Sequence, residues 1–231
     1  MKSIRVGAVA FALLGLSSPS MAADMLVKAP PLPVAYNWSG LWLGAQGGWA
    51  NDPVDWQNTS INNVHASGDI TGGFFGLRGG YDFQWSNLVL GASAEFNWSE
   101  ISGSINPVSP GGKDHADLTI REFGSVDGRI GWAIDRVLIY AIGGVAWTTI
   151  GHSYVSPGVG AGSVTFPDAA RTGWDAGGGA SFALTRNLIA GVEYRHYDFG
   201  AADFTPLGIA LASHSITLKS DTVRGLVAYK F

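Results

Sequence analysis

The last nine residues of the chain, 223–231, alternate between apolar or small side chains and polar ones with a period of two. Every second residue back from the end belongs to the apolar face: Phe231, Tyr229, Val227, Gly225 and Val223. The opposite face carries Lys230 and Arg224. Successive side chains of a β-strand point to opposite faces, so this pattern predicts a strand with one apolar face. That face must be covered by a protein core or by lipid, and the rest of the chain decides which.

The N-terminal region has the pattern of a secretory signal peptide. Lys2 and Arg5 give it a positive start, and an apolar run follows over residues 6–16. This run is shorter than the roughly 20 residues that a membrane-spanning helix needs. We therefore predict a signal peptide over residues 1–22, cleaved after its last residue, and an exported chain without a transmembrane helix. Residues 23–37 are rich in proline and predict an extended periplasmic linker.

Composition narrows the class of exported protein. There are no cysteines, so disulfides and thiolate chemistry are excluded. Charged residues make up 14% of the chain against about 25% in soluble domains, and the mean hydropathy is +0.16. Low charge without a long apolar run is typical of membrane strands, in which half of the residues face lipid. The net charge of −4 gives no sign of nucleic-acid binding.

Eight segments of strand length, separated by turn signals, follow between residues 38 and 231. The predicted strands are 40–49, 72–85, 88–98, 119–133, 137–147, 172–184, 188–199 and 218–231. The fifth is apolar on both sides, so its facing stays open. Aromatic residues lie near the segment ends, as in the interface girdles of membrane barrels: Trp49, Trp85, Trp98, Trp132, Trp147, Trp174, Tyr229 and Phe231.

The connections between these segments alternate in length. Three are short: 86–87, 134–136 and 185–187. Four are long: 50–71, 99–118, 148–171 and 200–217. This alternation predicts an all-β fold, an eight-stranded antiparallel up-and-down transmembrane β-barrel over residues 38–231 with short periplasmic turns and four long extracellular loops. A secreted soluble barrel or sandwich is the alternative, and it would have to turn its Gly-rich polar face to water.

Three stretches resemble one family. Residues 38–45 (WSGLWLGA), 124–132 (GSVDGRIGW) and 191–198 (GVEYRHYD) are similar to the first, fourth and seventh strands of small outer-membrane barrels of the opacity/OmpA-like type. With the Pro-rich spacer, the chain resembles in particular the abundant surface-antigen proteins of alphaproteobacteria. The resemblance implies a Gram-negative cell outer membrane, contact with its lipid and lipopolysaccharide, and insertion by the barrel assembly machinery. It also implies that Val227, Tyr229 and Phe231 form a C-terminal assembly signal.

Nine charged residues fall on the predicted inward faces, five acidic and four basic. They are Arg78, Asp82, Glu95, Asp127, Arg129, Asp175, Glu193, Arg195 and Arg224. An unpaired charge in such an interior costs several kcal/mol. Eight strands enclose just enough space for side chains. We therefore predict an interior plugged by ion pairs; a small channel gated by the same network is the alternative.

The sequence gives little sign of catalysis or metal binding. Residues 213–215 (Ser-His-Ser) and 152–153 (His-Ser) are the local Ser/His candidates, and neither shows a third orienting group. The five histidines fall in or near the predicted loops without ligand spacing: His65, His115, His152, His196 and His214. We expect no enzyme activity, no metal and no cofactor.

The function predicted from these features is structural. The barrel would support envelope integrity and present surface-exposed loops. A narrow porin-like channel for small solutes is one alternative, and an adhesin or binder of an unidentified extracellular ligand through the loops is another.

Overall fold

The computed structural model describes residues 35–58, 65–106, 115–156, 162–165, 168–204 and 214–231. The predicted signal peptide and the predicted linker up to residue 34 lie outside the described residues. The strands are β1 (Gly40–Asn58), β2 (His65–Trp85), β3 (Leu88–Ile105), β4 (His115–Ile134), β5 (Val137–Ser156), β6 (Gly162–Thr165), β7 (Ala169–Ala183), β8 (Leu188–Phe204) and β9 (His214–Lys230). The described residues contain no helix with the length and apolarity needed to cross a membrane.

Eight of these strands close into an antiparallel barrel. Each pairs with its neighbour along the chain, β5 pairs with β7, and β9 returns to β1 with Trp42 opposite Lys230. The short strand β6 pairs with residues 153–156 of β5 and is not one of the eight barrel strands. The predicted eight-stranded up-and-down barrel is therefore confirmed.

Three tight turns join strands at one end of the barrel, which we call the turn end; the opposite end is the loop end. The turns lie at 86–87, 135–136 and 184–187, close to their predicted positions. Ser86 and Asp135 have positive φ angles of 56° and 50°. Short polar side chains tolerate this left-handed conformation better than bulky ones, which explains the residue types at these turns.

The strands are longer at the loop end than predicted. β1 continues to Asn58 and β2 begins at His65, so much of the predicted loop 50–71 is strand. The same correction applies to the other predicted loops. Strand covers 99–105 and 115–118, then 148–156 and 169–171, then 200–204 and 214–217.

The chemistry of the alternation inverts toward the loop end of most strands, which is why their predicted ends fall too early. On β1 the outward residues change from Leu43 and Trp49 to Asp55, while the inward residues change from Gln46 to Val54. The period of two is unbroken, but the polar face becomes apolar and the apolar face becomes polar. A prediction that follows one apolar face therefore ends the strand where the surrounding medium changes from lipid to water.

Large apolar side chains form a continuous exposed band around the turn-end half of the barrel. Its loop-end border is marked by Trp49, Phe75, Trp98 and Trp174. Beyond that border the exposed residues are mostly polar. A band of this kind, flanked by aromatic residues, is the lipid-facing surface of a membrane barrel. The loop-end strand extensions thus lie outside the membrane.

A bulge in β4 changes which side chains face inward. The register with the flanking strands shifts between Ile120 and Glu122. Arg121, which alternation from Asp127 places inside, is exposed and forms an ion pair with Asp168 at 3.2 Å. An extra residue in one strand reverses the facing of everything beyond it, so a constant period gave the wrong side for Arg121.

The open question on the fifth predicted strand is settled by burial. Leu138, Tyr140 and Ile142 of β5 are buried inside the barrel, whereas Ile139 and Val145 are exposed on its outer surface.

The last residue completes the seam between the first and last strands. The backbone N–H of Phe231 donates to the Leu41 carbonyl at 2.9 Å, and Val227, Tyr229 and Phe231 lie on the lipid-facing surface.

We predict that deletion of Phe231 lowers the yield of heat-modifiable barrel in the outer membrane several-fold, because seam closure and the proposed assembly signal are lost together. Trp85→Ala, which removes another exposed aromatic residue at the turn end, is the control. Normal insertion without Phe231 would refute the role of this residue as an assembly signal.

Candidate functional site

The barrel interior is filled by three layers of buried side chains. At the turn end lies an apolar layer, the turn-end plug: Trp38, Trp42, Val89, Ala133, Leu138, Tyr140, Ile142, Ala183, Ile189, Leu226 and Ala228. At the loop end lies a second apolar layer, the loop-end cap: Ala50, Val54, Trp56, Ile70, Phe74, Ile101, Ile105, Leu118, Ile120, Phe123, Ala146, Ile150, Tyr197, Phe199, Ile216 and Leu218. The nine charged residues that alternation placed inward lie in the interior with these layers, and we call them the ionic layer.

Glu95 on β3 collects donors from several strands. Its carboxylate accepts hydrogen bonds from Arg224 at 2.8 Å, from the Tyr197 hydroxyl at 3.0 Å and from the Gln46 amide at 3.0 Å. Asn97 donates to it at 3.0 Å, and the Arg195 guanidinium lies 3.5 Å away. The carboxylate is therefore fully surrounded by partners, as a buried charge requires.

Arg195 on β8 joins carboxylates from both sides of the barrel. Its Nε donates to Glu193 at 2.6 Å, and its Nη1 lies 2.9 Å from both Asp127 on β4 and Asp175 on β7. The same nitrogen donates to the Ser125 hydroxyl at 3.0 Å. The side chains of Arg195 and its two aspartate partners have no solvent exposure. This one guanidinium thus links β4, β7 and β8 directly.

Arg78 on β2 completes the connection around the barrel. Its Nη1 donates to Glu193 at 2.9 Å, and Tyr140 donates to the same carboxylate at 2.8 Å. Asp82 and Arg129 form a separate bidentate ion pair, with the Nε contact at 2.7 Å. The Arg129 guanidinium stacks 4.9 Å from the Trp42 ring, so the pair is also in contact with the turn-end plug.

All nine charged residues chosen from the sequence are buried, each with 7% exposure or less. Seven of them form one connected network of ion pairs, and Asp82 and Arg129 form the separate pair described above. The network holds four carboxylates and three guanidinium groups. Their role in function stays a prediction. Sequence reasoning did not select the uncharged members Gln46, Asn97, Tyr140 and Tyr197, although the inward parity of three of their strands locates them.

A glycine leaves room for one of the two aspartates that share Arg195. Gly144 on β5 pairs with Asp127 on one side and with Asp175 on the other. A Cβ atom at Gly144 would lie 2.8 Å from the Asp127 Oδ1 atom and 2.1 Å from the Val126 carbonyl oxygen. The absence of a side chain at Gly144 therefore leaves room for the Asp127 carboxylate beside Arg195.

The loop-end cap contains a carboxylate that the sequence analysis missed. Asp52 on β1 is fully buried between Ala50 and Val54, beyond the lipid-facing band. Ser220 and Asp221 on β9 are its polar neighbours: Ser220 lowers the pKa of Asp52 and the charge of Asp221 raises it. Neither carboxylate oxygen of Asp52 makes a hydrogen bond of normal geometry within the described residues. Burial raises the pKa of Asp52 to about 7. Continuing the β1 alternation past Trp49 is the signal that would have found it.

Two of the five histidines, His115 and His196, have described side chains. The His196 ring lies 2.8 Å from the Asp221 carboxylate, which also accepts a hydrogen bond from Tyr194 at 2.6 Å. Among the residues that the structure describes, no group of three or more His, Cys, Asp or Glu is arranged to hold a metal ion.

Fold and interior together define a small outer-membrane β-barrel. The family model of the outer membrane protein beta-barrel domain matches residues 8–231. The chain belongs to this family and is an outer-membrane protein.

Its sequence relatives are similar over their whole length. The 31 kDa outer-membrane immunogenic protein of Brucella melitensis is 30% identical over 100% of both chains, and the 25 kDa outer-membrane immunogenic protein of Brucella abortus is 27% identical over 96% of both. The outer membrane protein OprG from Pseudomonas aeruginosa shares the fold, with a TM-score of 0.58, 12% identity, and coverage of 85% of this chain and 99% of OprG. The predicted family resemblance and outer-membrane location are confirmed.

We predict that Arg195→Met destabilises the barrel by about 3–5 kcal/mol, because Asp127 and Asp175 are left buried without their shared donor. Arg121→Met is the matched control, since Arg121 is an exposed partner in an ion pair worth about 0–1 kcal/mol. Urea unfolding in lipid vesicles, followed by tryptophan fluorescence, measures both. Equal effects of the two substitutions would contradict a network centred on Arg195.

We predict that Asp52 makes the barrel less stable as pH rises. The folded chain binds this proton more tightly than the unfolded chain, so the free energy of unfolding falls between about pH 4 and pH 7 and levels off above. The raised pKa corresponds to about 4 kcal/mol. Asp52→Asn should remove that part of the pH dependence and stabilise the barrel at pH 8, whereas Asp55→Asn, an exposed position on the same strand, should not. Identical pH profiles of the wild type and the Asp52→Asn variant would refute this.

Proposed function

We propose that this protein is a structural outer-membrane barrel that supports envelope integrity and presents its loop end at the cell surface, with an interior closed to solutes. One observation carries the proposal: side chains of the turn-end plug, the ionic layer and the loop-end cap are buried at every level of the described barrel. A lumen filled in this way is a packed core, as the size of an eight-stranded barrel favours.

The ionic layer supports a mechanical role. Its ion pairs connect six of the eight barrel strands: β2, β3, β4, β7, β8 and β9. Arg78 and Glu193 lie 115 residues apart in the chain, and Arg224 and Glu95 lie 129 apart. Ties between such distant strands, added to the hydrogen-bonded wall, resist shear and flattening of the barrel.

The outer surface supports presentation at the cell surface. Lipid covers the apolar band, and the polar strand extensions stand above it with exposed acids such as Asp55, Asp69 and Glu100. The Brucella relatives are named immunogenic, which fits surface exposure. Outer-membrane lipid and lipopolysaccharide are the proposed partners of this surface, and the barrel assembly machinery is the proposed partner of β9. We propose no enzymatic activity for this protein.

A narrow channel gated by the ionic layer is the second candidate. Within the described residues, Arg78 Nε, Arg224 Nε, Asp127 Oδ1 and Asp175 Oδ1 are buried and make no hydrogen bond of normal geometry. Polar atoms of this kind attract water if the network rearranges. A path for small ions would run through this layer.

Planar-bilayer recording of the purified barrel tests the proposal. We expect the wild type to show no stable conducting state. Glu193→Ala should produce brief openings and lower stability, because Arg78 and Arg195 lose a shared carboxylate. Glu100→Ala, at an exposed acid on β3, is the control. Steady wild-type conductance that Glu193→Ala alters would favour the channel, and steady conductance unaffected by it would refute both versions of the ionic layer.

A further inference from the structure

The residues immediately before β1 turn into the mouth of the barrel at the turn end. Residues 35–39, which span the end of the predicted linker and the start of the predicted barrel, form one compact unit with the barrel. Trp38 has 1% exposure and packs in the turn-end plug, and Tyr36 packs against the same layer. The two rings make an edge-to-face contact at 4.9 Å. An irregular segment therefore supplies part of the interior.

This segment is tied to two of the three turns. The Tyr36 backbone N–H donates to the Asp135 carboxylate at 3.1 Å, and the Trp38 indole donates to the Asp135 carbonyl at 3.1 Å. The Tyr36 hydroxyl donates to the Arg186 carbonyl at 3.2 Å. Asp135 belongs to the turn between β4 and β5, and Arg186 to the turn between β7 and β8. The segment that precedes β1 thereby contacts two turns that are neighbours around the mouth.

The same segment is tied to the second and the last strands. The Trp38 backbone N–H donates to the Gln84 side chain at 2.6 Å. Lys230 donates to the Asn37 carbonyl, and its ammonium lies 4.8 Å from the Tyr36 ring. These contacts involve side chains and single backbone groups, whereas the continuous strand ladder begins at Gly40 opposite Asp82.

Gly40 joins the segment to β1 in a conformation that other residues rarely adopt. Its φ is +136°, and a Cβ atom there would lie 3.2 Å from the Phe231 carbonyl oxygen. Glycine permits the abrupt change of direction between the segment and the strand. Such a junction lets the segment move without disturbing the ladder.

Behind the segment lies the ionic layer. Trp38 and Trp42 belong to the same apolar cluster, and the Trp42 ring carries the guanidinium of Arg129, the partner of Asp82. Removal of the segment would therefore expose the turn-end side of this ion pair to water from the periplasm.

We propose that residues 36–39 form a latch that closes the turn end and is released by a hinge movement at Gly40. This inference rests on the closed interior of the proposed function and names its moving part. Because the latch continues directly from the segment that remains after the predicted cleavage, residues 23–35, a partner that pulls on or binds that segment opens the periplasmic side of the barrel. The latch thus couples that segment to the hydration of the ionic layer.

A single reporter thiol tests the latch, since the chain has no cysteine of its own. Val89→Cys places the thiol in the turn-end plug at a position with no exposure. The refolded full chain in micelles is treated with a bulky charged maleimide, and the labelling rate is followed by mass spectrometry. We expect slow labelling with the latch intact and labelling faster by about tenfold or more with Trp38→Ala or Lys230→Met added.

The two latch variants separate release from simple cavity formation, because Lys230→Met leaves Trp38 in place. Trp132→Ala is the matched control, an exposed aromatic residue at the same end of the barrel. Heat-modifiable mobility is checked first, so that a variant that fails to fold is excluded and the other decides. Fast labelling with the latch intact, or unchanged labelling in Lys230→Met, would overturn the latch. Wild-type conductance with a protected thiol would instead overturn the proposed closed function and leave the latch standing.

Discussion

The pairing of buried charges around Arg195 is the constraint on which the interior depends. Carboxylates from β3, β4, β7 and β8 all lie within 3.5 Å of its guanidinium nitrogens. Burying these groups is unfavourable unless each finds partners, and the partners lie on strands distant in sequence. The observed register brings these charges together, so the network favours the closed arrangement in which they are paired.

The apolar layers on either side strengthen that network. The turn-end plug, the loop-end cap and the ionic layer are all buried, and a buried ion pair interacts more strongly than one in solution. The same burial makes an unpaired carboxylate unfavourable, as at Asp52 in the cap. Burial of the apolar layers and pairing of the charges therefore depend on each other.

The same strand passes from a lipid-covered part of the barrel to a part surrounded by water. Within the band the outward side chains of a strand meet lipid and its inward ones include charges. Beyond the band the outward side chains meet water, and the inward ones are mostly apolar, with Asp52 as an exception. β1 shows this change between Trp49 and Asp55. The extensions above the membrane have the inside-out pattern of an ordinary soluble barrel. The protein thus stacks a water-facing barrel on a lipid-facing one with shared backbone hydrogen bonds.

The sequence by itself determined the strand period, the three turns, the eight barrel strands and the inward side of charges such as Glu95 and Arg195. These features follow from local alternation and turn chemistry. The tertiary structure alone decided the rest. The β4 bulge turned Arg121 outward, the return of β9 to β1 placed Phe231 beside Leu41, and folding brought Trp38 into the mouth. Register, closure and the medium around each residue arise from contacts between distant segments, and a local pattern contains no information about those contacts.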